Sequence, residues 1–168
     1  MIPMARFPIV STRDPEEAEA VLARELTDVR FQKVRSPNRF GLEMNGVHLG
    51  DTLVAFNQFD TDTILDGGQL EESIVVSVGV GAPMTSYIDG KPVSYTESAA
   101  IFAPPRKGIH HRPAGGGEFT LQIGYAELER RLRTALDRNT NEPIQFDISV
   151  DLRSSLGLHL RSLIGHLV

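Results

Sequence analysis

Cysteine is absent from the 168 residues. That removes disulfide bridges, thiol nucleophiles and thiolate metal sites together, since each needs the sulfur. An excess of positive charge is also missing: 17 Lys and Arg stand against 22 Asp and Glu, a net charge of -5. Gripping a nucleic acid needs a connected basic patch to neutralise phosphates, so no DNA-binding surface is expected in this chain. No apolar run approaches the roughly 18 to 20 residues that cross a bilayer. The start Met1-Ile-Pro-Met-Ala-Arg-Phe-Pro8 has neither the apolar core nor the cleavage site of a secretion signal, so a cytoplasmic protein without membrane contact is expected. Several motifs are missing too. There is no Gly-x-Ser-x-Gly elbow and no His-Glu-x-x-His helix. The acidic stretch Asp60 to Gly67 fails as a calcium loop because Leu65 holds the position reserved for glycine, and it reads as a solvated loop. Gly115 to Gly117 is not followed by Lys-Ser/Thr, and reads as a hairpin rather than a phosphate cradle.

What is present is an order of parts. Asp14 can cap a helix, Pro15 suits its first position, and Glu16 and Glu17 favour its dipole. Ala18, Val21, Leu22 and Leu26 then share one face, so this helix is expected to lie on a sheet. From residue 31 to 123 the pattern is one of short strands: 31–34, 40–49, 53–59, 74–80, 84–88, 91–95, 99–103, 108–112 and 118–123. Asp89-Gly90, Pro104-Pro105 and Ala114 to Gly117 supply the turns. Strands this short and this regularly spaced imply an antiparallel sandwich or barrel, and a small barrel makes a container. Ile74, Val76, Val78 and Val80 share one face of their strand, as do Phe119, Leu121 and Ile123 of theirs. The opposite faces carry Val75, Ser77, Gly79, Thr120 and Gln122, which suit either solvent or a polar-lined cavity.

After Gly124 the period returns to that of a helix. Leu128, Leu132, Ala135 and Leu136 form a stripe, with Glu127–Arg131 and Glu129–Arg133 as ion pairs one turn apart. Residues 144–148 read as extended, and Leu156, Leu160, Leu163, Ile164 and Leu167 mark a last amphipathic helix. No stop signal follows it, which leads to the expectation that the parent polypeptide continues. The histidines allow two readings. His110 and His111 are adjacent in a strand, so they leave on opposite faces and cannot share a metal. Either one of them faces the interior, where a neutral imidazole pairs with a ligand, or both are rim residues. His48, with Arg35 and Arg39 nearby, belongs either to a polar cluster at the barrel mouth or to a solvated strand edge. His159 and His166 read as surface groups.

These residues carry a resemblance. Ser11 to Ala18, the strand from Leu70 to Gly79, the turn Ile101-Phe-Ala-Pro-Pro-Arg106, the passage Thr120 to Leu128, and Phe146 to Leu152 together resemble the N-terminal, cupin-like effector domain of AraC-type transcriptional regulators. The resemblance implies a mostly β fold: a cupin-like antiparallel β-barrel (double-stranded β-helix or jelly roll), an N-terminal helix and two C-terminal helices. It implies one domain, with a lead-in over 1–30, the barrel over 31–124 and a helical dimerisation segment over 125–168. It implies a barrel that binds a small effector, helices that pair with a second copy, and DNA contact only through a C-terminal helix-turn-helix domain not present in this chain. No catalytic residue, cofactor or metal is expected. Arg39, His48, Phe56, Ile101, His110 and Gln122 are the expected effector contacts, and the Arg and His among them lean the effector toward an acidic or aromatic compound. Leu156, Leu160, Leu163 and Leu167 are the expected pairing surface, with Leu128 and Leu132 as the substitute should the first set pack on the barrel. Two other readings stand beside this one. Cupin enzymes, dioxygenases or isomerases, use His-x-His with a later Glu and a distant His as a metal set, a spacing His110-His111 does not offer. A ligand-free structural dimerisation module would be satisfied by the leucine stripes alone.

Overall fold

The computed structural model describes residues 2–26, 29–70, 72–95, 98–102, 107–135 and 146–166. Among the described residues, twelve strands form two antiparallel sheets. The larger contains β1 (Pro8–Thr12), β3 (Leu42–Leu49), β4 (Thr52–Phe59), β11 (Gly117–Gly124), β6 (Ser73–Val80), β9 (Ser98–Phe102) and β12 (Ser149–Asp151), in that spatial order. The smaller runs β2 (Arg30–Val34), β5 (Thr63–Gln69), β10 (Lys107–Arg112), β7 (Thr85–Ile88) and β8 (Lys91–Ser94). The helices are α1 (Pro15–Glu25), α2 (Tyr125–Ala135) and α3 (Ser155–Gly165). This is the cupin-like, mostly β architecture with flanking helices.

Local chemistry explains most of the boundaries. Asp14 Oδ1 accepts the Glu16 N–H at 2.9 Å, and Pro15 occupies the first turn, so α1 starts where its cap requires. Ala18, Val21 and Leu22 are buried, and they pack with Leu42, Met44, Ala55 and Phe59 of the large sheet and Leu65 of the small one. The helix therefore closes one end of the space between the sheets. Asp89 and Gly90 both have positive φ, 49° and 77°, the backbone of the tight primed turn that joins β7 to β8.

Three expectations are corrected. The acidic stretch read as a loop contains β5, a central strand of the small sheet that pairs with both β2 and β10. Its glycines disguise it: the His110 ring occupies the space a Gly67 side chain would need, and Gly68, with φ of 63°, lies where the pairing with β10 shifts register. Close packing and a bulge demand these glycines, and tertiary pairing overrides the loop-like composition. Gly115 to Gly117 is not a hairpin. β10 belongs to the small sheet and β11 to the large, so the segment turns a corner between sheets. β1 was not expected at all; Pro8 to Thr12 lacks alternation strong enough to declare itself, and its partner β3 supplies the ladder. The Pro104-Pro105 turn, Leu136, Ile144 and Leu167 lie outside the described residues.

The large sheet has two distinct coats. One face looks toward the small sheet. The other carries Phe56, Val76, Val78, Ala99 and Phe119, covered by Ile2 and Met4 and by Leu160 and Ile164 of α3. α3 is held by Ser154, whose Oγ caps the Gly157 N–H at 3.1 Å. Gly157 itself is buried, and a side chain there would collide with the Asp151 carbonyl and the Leu152 backbone. Backbone cannot retreat as a flexible side chain can. We expect Gly157→Ala to cost about 1–3 kcal/mol and lower the melting temperature in calorimetry, whereas Gly165→Ala, with open space around it, should not.

Candidate functional site

Period-two alternation delivers one set of side chains from each strand into the space between the sheets. From the large sheet come Asn57 and Phe59 on β4, Val75 and Ser77 on β6, and Glu118 and Thr120 on β11. From the small sheet come Leu65 and Gly67 on β5, with Gly108, His110 and Arg112 on β10. Leu22 and Leu26 of α1, followed by Val29, close the apolar end. Together they line a cavity of about 60 Å³.

The polar side of this cavity is a connected network. Arg112 Nε meets Glu118 Oε2 at 2.7 Å and its Nη2 meets Oε1 at 2.6 Å, a two-pronged pair. Both side chains are buried, at 4% and 7% exposure, so the pair is held in a low-dielectric site where neither charge can shed its partner cheaply. Burial opposes the guanidinium charge, but Glu118 and Tyr95 outweigh it and hold the Arg112 pKa above its ordinary value. The Arg112 guanidinium lies 5.5 Å from the centre of the Tyr95 ring. Burial likewise pushes the Tyr95 pKa up, and the phenol stays protonated. Its hydroxyl donates to Ser86 Oγ at 2.6 Å, and Arg112 Nη1 also approaches that oxygen, at 3.4 Å. The Ser86 proton is then left for His110 Nδ1, 2.8 Å away, which assigns the proton of a neutral imidazole to Nε2. Burial, first, and then the charges of Arg112 and His111 hold the His110 pKa well below the usual imidazole range.

One polar group in the wall is not satisfied. Asn57 is 4% exposed and its Nδ2 donates to Thr120 Oγ1 at 3.2 Å, but its Oδ1 has no partner. Gln122, next along the same face of β11, has a second buried oxygen without one. Buried acceptors are almost always paired, so two orphans on one face need an explanation.

The expected effector contacts are distributed unevenly. His110 lines the cavity, and Gln122 lies on the same face as Thr120. Four others are elsewhere, for physical reasons. Phe56 faces outward and packs at a tilt against Phe119, ring centroids 5.1 Å apart, because its neighbours Ala55 and Asn57 take the inward positions. Ile101 is paired with Val76 and shares that outer face. Arg39 is exposed in a short 3-10 turn, Pro37–Arg39. His48 is exposed and meets Glu25 Oε2 of α1 at 2.9 Å, a contact that, with the Arg24 charge, pulls the Glu25 pKa down despite its partial burial. The leucines divide as well. On α3, Leu160 packs inward while Leu156 and Leu163 are 69% and 67% exposed. On α2, Leu128 and Leu132 are half-buried, and the Glu127–Arg131 and Glu129–Arg133 pairs form at 2.6 and 2.9 Å.

Sequence reasoning missed Asn57, Arg112 and Glu118. The alternation around Ser77 and Thr120 marked the polar face, and the register of β4 against β11 extends it to Asn57. Nothing in the sequence announces that Arg112 and Glu118 meet across a corner. A cupin-type metal does not fit here. His111 leaves the strand on the face opposite His110 and meets the Tyr87 ring at a tilt, centroids 5.4 Å apart, and no three His, Asp or Glu side chains converge among the described residues. No helix among them is long and apolar enough to cross a membrane.

Residues 18–168 match the family model of the AraC-binding-like domain. Curated protein sequences yield no match. Among solved structures, the AraC-like transcriptional activator CuxR superposes with a TM-score of 0.64 at 18% identity, over 94% of this chain and 59% of that one. This chain thus spans somewhat over half the length of that activator. A cupin-2 domain from Rhodospirillum rubrum matches at a TM-score of 0.40 and 8% identity, covering 80% of this chain and 81% of its own. A predicted oxalate decarboxylase from Thermotoga maritima matches at a TM-score of 0.41 and 13% identity, over 50% of this chain and 80% of that one.

The buried imidazole sets a pH dependence. In the unfolded chain His110 takes up a proton near its ordinary pKa of about 6.5, while the native state resists it, so stability is intact above that pH and falls as the pH drops below it. We expect the fall between pH 6.5 and 5 to approach, at most, about 1.4 kcal/mol per unit. His110→Asn, whose Oδ1 can take the Ser86 hydrogen bond, should flatten that slope in urea titrations at several pH values.

Proposed function

Because this chain belongs to the AraC-binding-like domain family, we propose that it is the effector-sensing part of an AraC-like transcriptional regulator and that the cavity between its sheets is the effector site. The observation that carries this reading is the cavity itself: a mostly apolar space whose wall holds a buried, unpartnered Asn57 oxygen. A wall built only to pack would fill such a space with aliphatic side chains. The sensing role is favoured over catalysis because the charged groups in the cavity, Arg112 and Glu118, are consumed by one another.

The coupling proposed is a population shift, in which the effector binds one arrangement of the cavity and its neighbouring helices better than another. Two elements are placed to respond. α1 contributes Leu22 and Leu26 to the cavity and is tethered to β3 through Glu25 and His48. α3 rests on Phe56, Val78 and Phe119, residues adjacent in sequence to the cavity-lining Asn57, Ser77, Thr120 and Glu118. A shift of β4, β6 or β11 at the effector is felt one residue away, on the opposite face, under α3. DNA binding, in this reading, belongs to a helix-turn-helix domain C-terminal to this segment, in the cytoplasm. Pairing with a second copy is assigned to α3 through Leu156 and Leu163, with Leu128 and Leu132 of α2 beside them, since an isologous contact of one stripe on its copy is the commonest oligomer geometry.

Two measurements check this. A thermal-shift screen of small metabolites should yield at least one compound that raises the melting temperature saturably, by several degrees at about 100-fold excess over Kd. Ser77→Phe, which fills the cavity, should abolish that rise; a screen in which no compound stabilises the chain refutes the effector site. In light scattering, Leu156→Glu together with Leu163→Glu should convert a dimer to a folded monomer, and an unchanged dimer removes α3 from the interface.

A further inference from the structure

Resting on the effector reading above, we propose that the cavity selects an uncharged molecule that offers a hydroxyl or amide N–H to Asn57 Oδ1 and an apolar body to the hydrophobic part of the lining. The first argument is charge. Among the described residues, the ionisable groups lining the cavity are His110, Arg112 and Glu118. Arg112 and Glu118 bind each other through two contacts of 2.7 and 2.6 Å, and both are almost wholly buried. A ligand carboxylate would have to displace Glu118 from the guanidinium, and a ligand ammonium would have to displace Arg112 from the carboxylate. Either exchange strands a buried charge, which is the most costly defect a protein interior can hold. His110 offers no replacement counter-charge, because burial and the nearby Arg112 keep its ring neutral. The rest of the polar lining, Asn57, Ser77 and Thr120, is uncharged.

The second argument is hydrogen-bond sense. Asn57 is 4% exposed, its amide nitrogen gives one N–H to Thr120, and its oxygen is a buried acceptor without a partner on a residue that lines the cavity. Gln122 places another buried acceptor on the same face of β11. Acceptors reward donors, and an ionised acid has none to give. An apolar lining of Leu22, Leu26, Phe59, Leu65 and Val75 stands ready for the remainder of the molecule. Of the three groups behind the expectation of an acidic or aromatic effector, Arg39 and His48 are on the outer surface, and His110 lines the cavity as a neutral ring.

Matched probes of one shape test this directly. At pH 7.5, calorimetric titration of the whole chain with benzamide and benzoate, and with cyclohexanecarboxamide and cyclohexanecarboxylate, compares an uncharged donor with an anion of nearly equal volume. Toluene serves as the purely apolar probe. The amides should bind at least about tenfold more tightly than their carboxylates, the equivalent of one good hydrogen bond and an avoided buried charge. Asn57→Leu should weaken the amides about tenfold, leave toluene unchanged, and raise the melting temperature of the ligand-free chain. Asn57→Ser, which keeps a small polar group, gives the same comparison should the leucine variant fold poorly. Carboxylates binding as well as amides, or amides indifferent to both Asn57 variants, overturn the proposal while leaving the effector site standing. Failure of every probe, toluene included, to bind the natural chain, or equal binding of the probes to Ser77→Phe, removes the effector site and the proposal with it.

Discussion

Arg112 ends β10 in the small sheet and Glu118 lies near the start of β11 in the large one, so their two-pronged contact bridges the sheets across the corner at Gly115. The corner brings them together only if both strands are in register, and the pair in turn denies the strands any other register. Losing one partner of such a pair typically costs about 3–5 kcal/mol, because the survivor is left charged and buried. Replacing both by apolar groups is often neutral in stability. What the pair fixes is therefore geometry and charge: the two sheets meet at a set place, and the space between them is electrically balanced. Tyr95, Ser86 and His110 extend the same network along the small sheet, each satisfying the next.

From that constraint the division of the large sheet follows. With β11 anchored by Glu118, Thr120 and Gln122 must look inward and Phe119 and Leu121 outward, since a strand alternates with no freedom to choose. β4 and β6 inherit the alternation through their pairing with β11. One face thus becomes the wall of a cavity and the other a bed for α3. Neighbouring residues on one strand serve both, and no long chain of intermediates is needed to connect the interior with the helices. α1 supplies a second connection, because its apolar face is part of the cavity and its far end is held to β3 by Glu25 and His48.

Much of the fold was legible because local chemistry determined it. The Asp14–Pro15 start of α1, the Asp89-Gly90 turn, the alternation in β6 and β11, and the ion pairs of α2 each depend on residues within a few positions of one another. β5 was not legible, since its two glycines answer to a histidine ring and a bulge supplied by β10. β1 and the sheet-crossing corner at Gly115 likewise depend on partners far along the chain. The candidate site was legible only in outline. A polar face around Ser77 and Thr120 and an inward His110 could be read from period two, whereas Arg39 and His48 were chosen for chemistry without knowledge of which side of the wall they occupy.

By itself the sequence determined a mostly β fold with one capped helix ahead of it and two amphipathic helices behind, without thiol chemistry and with a net negative charge, because periodicity, caps and composition act over single turns and strands. Only the tertiary structure decided which strands share a sheet, which face encloses the cavity, and that Arg112 is spent on Glu118 while Asn57 is left wanting a donor. Pairing across a sheet and burial between sheets join residues with no fixed separation along the chain, and no local pattern encodes them.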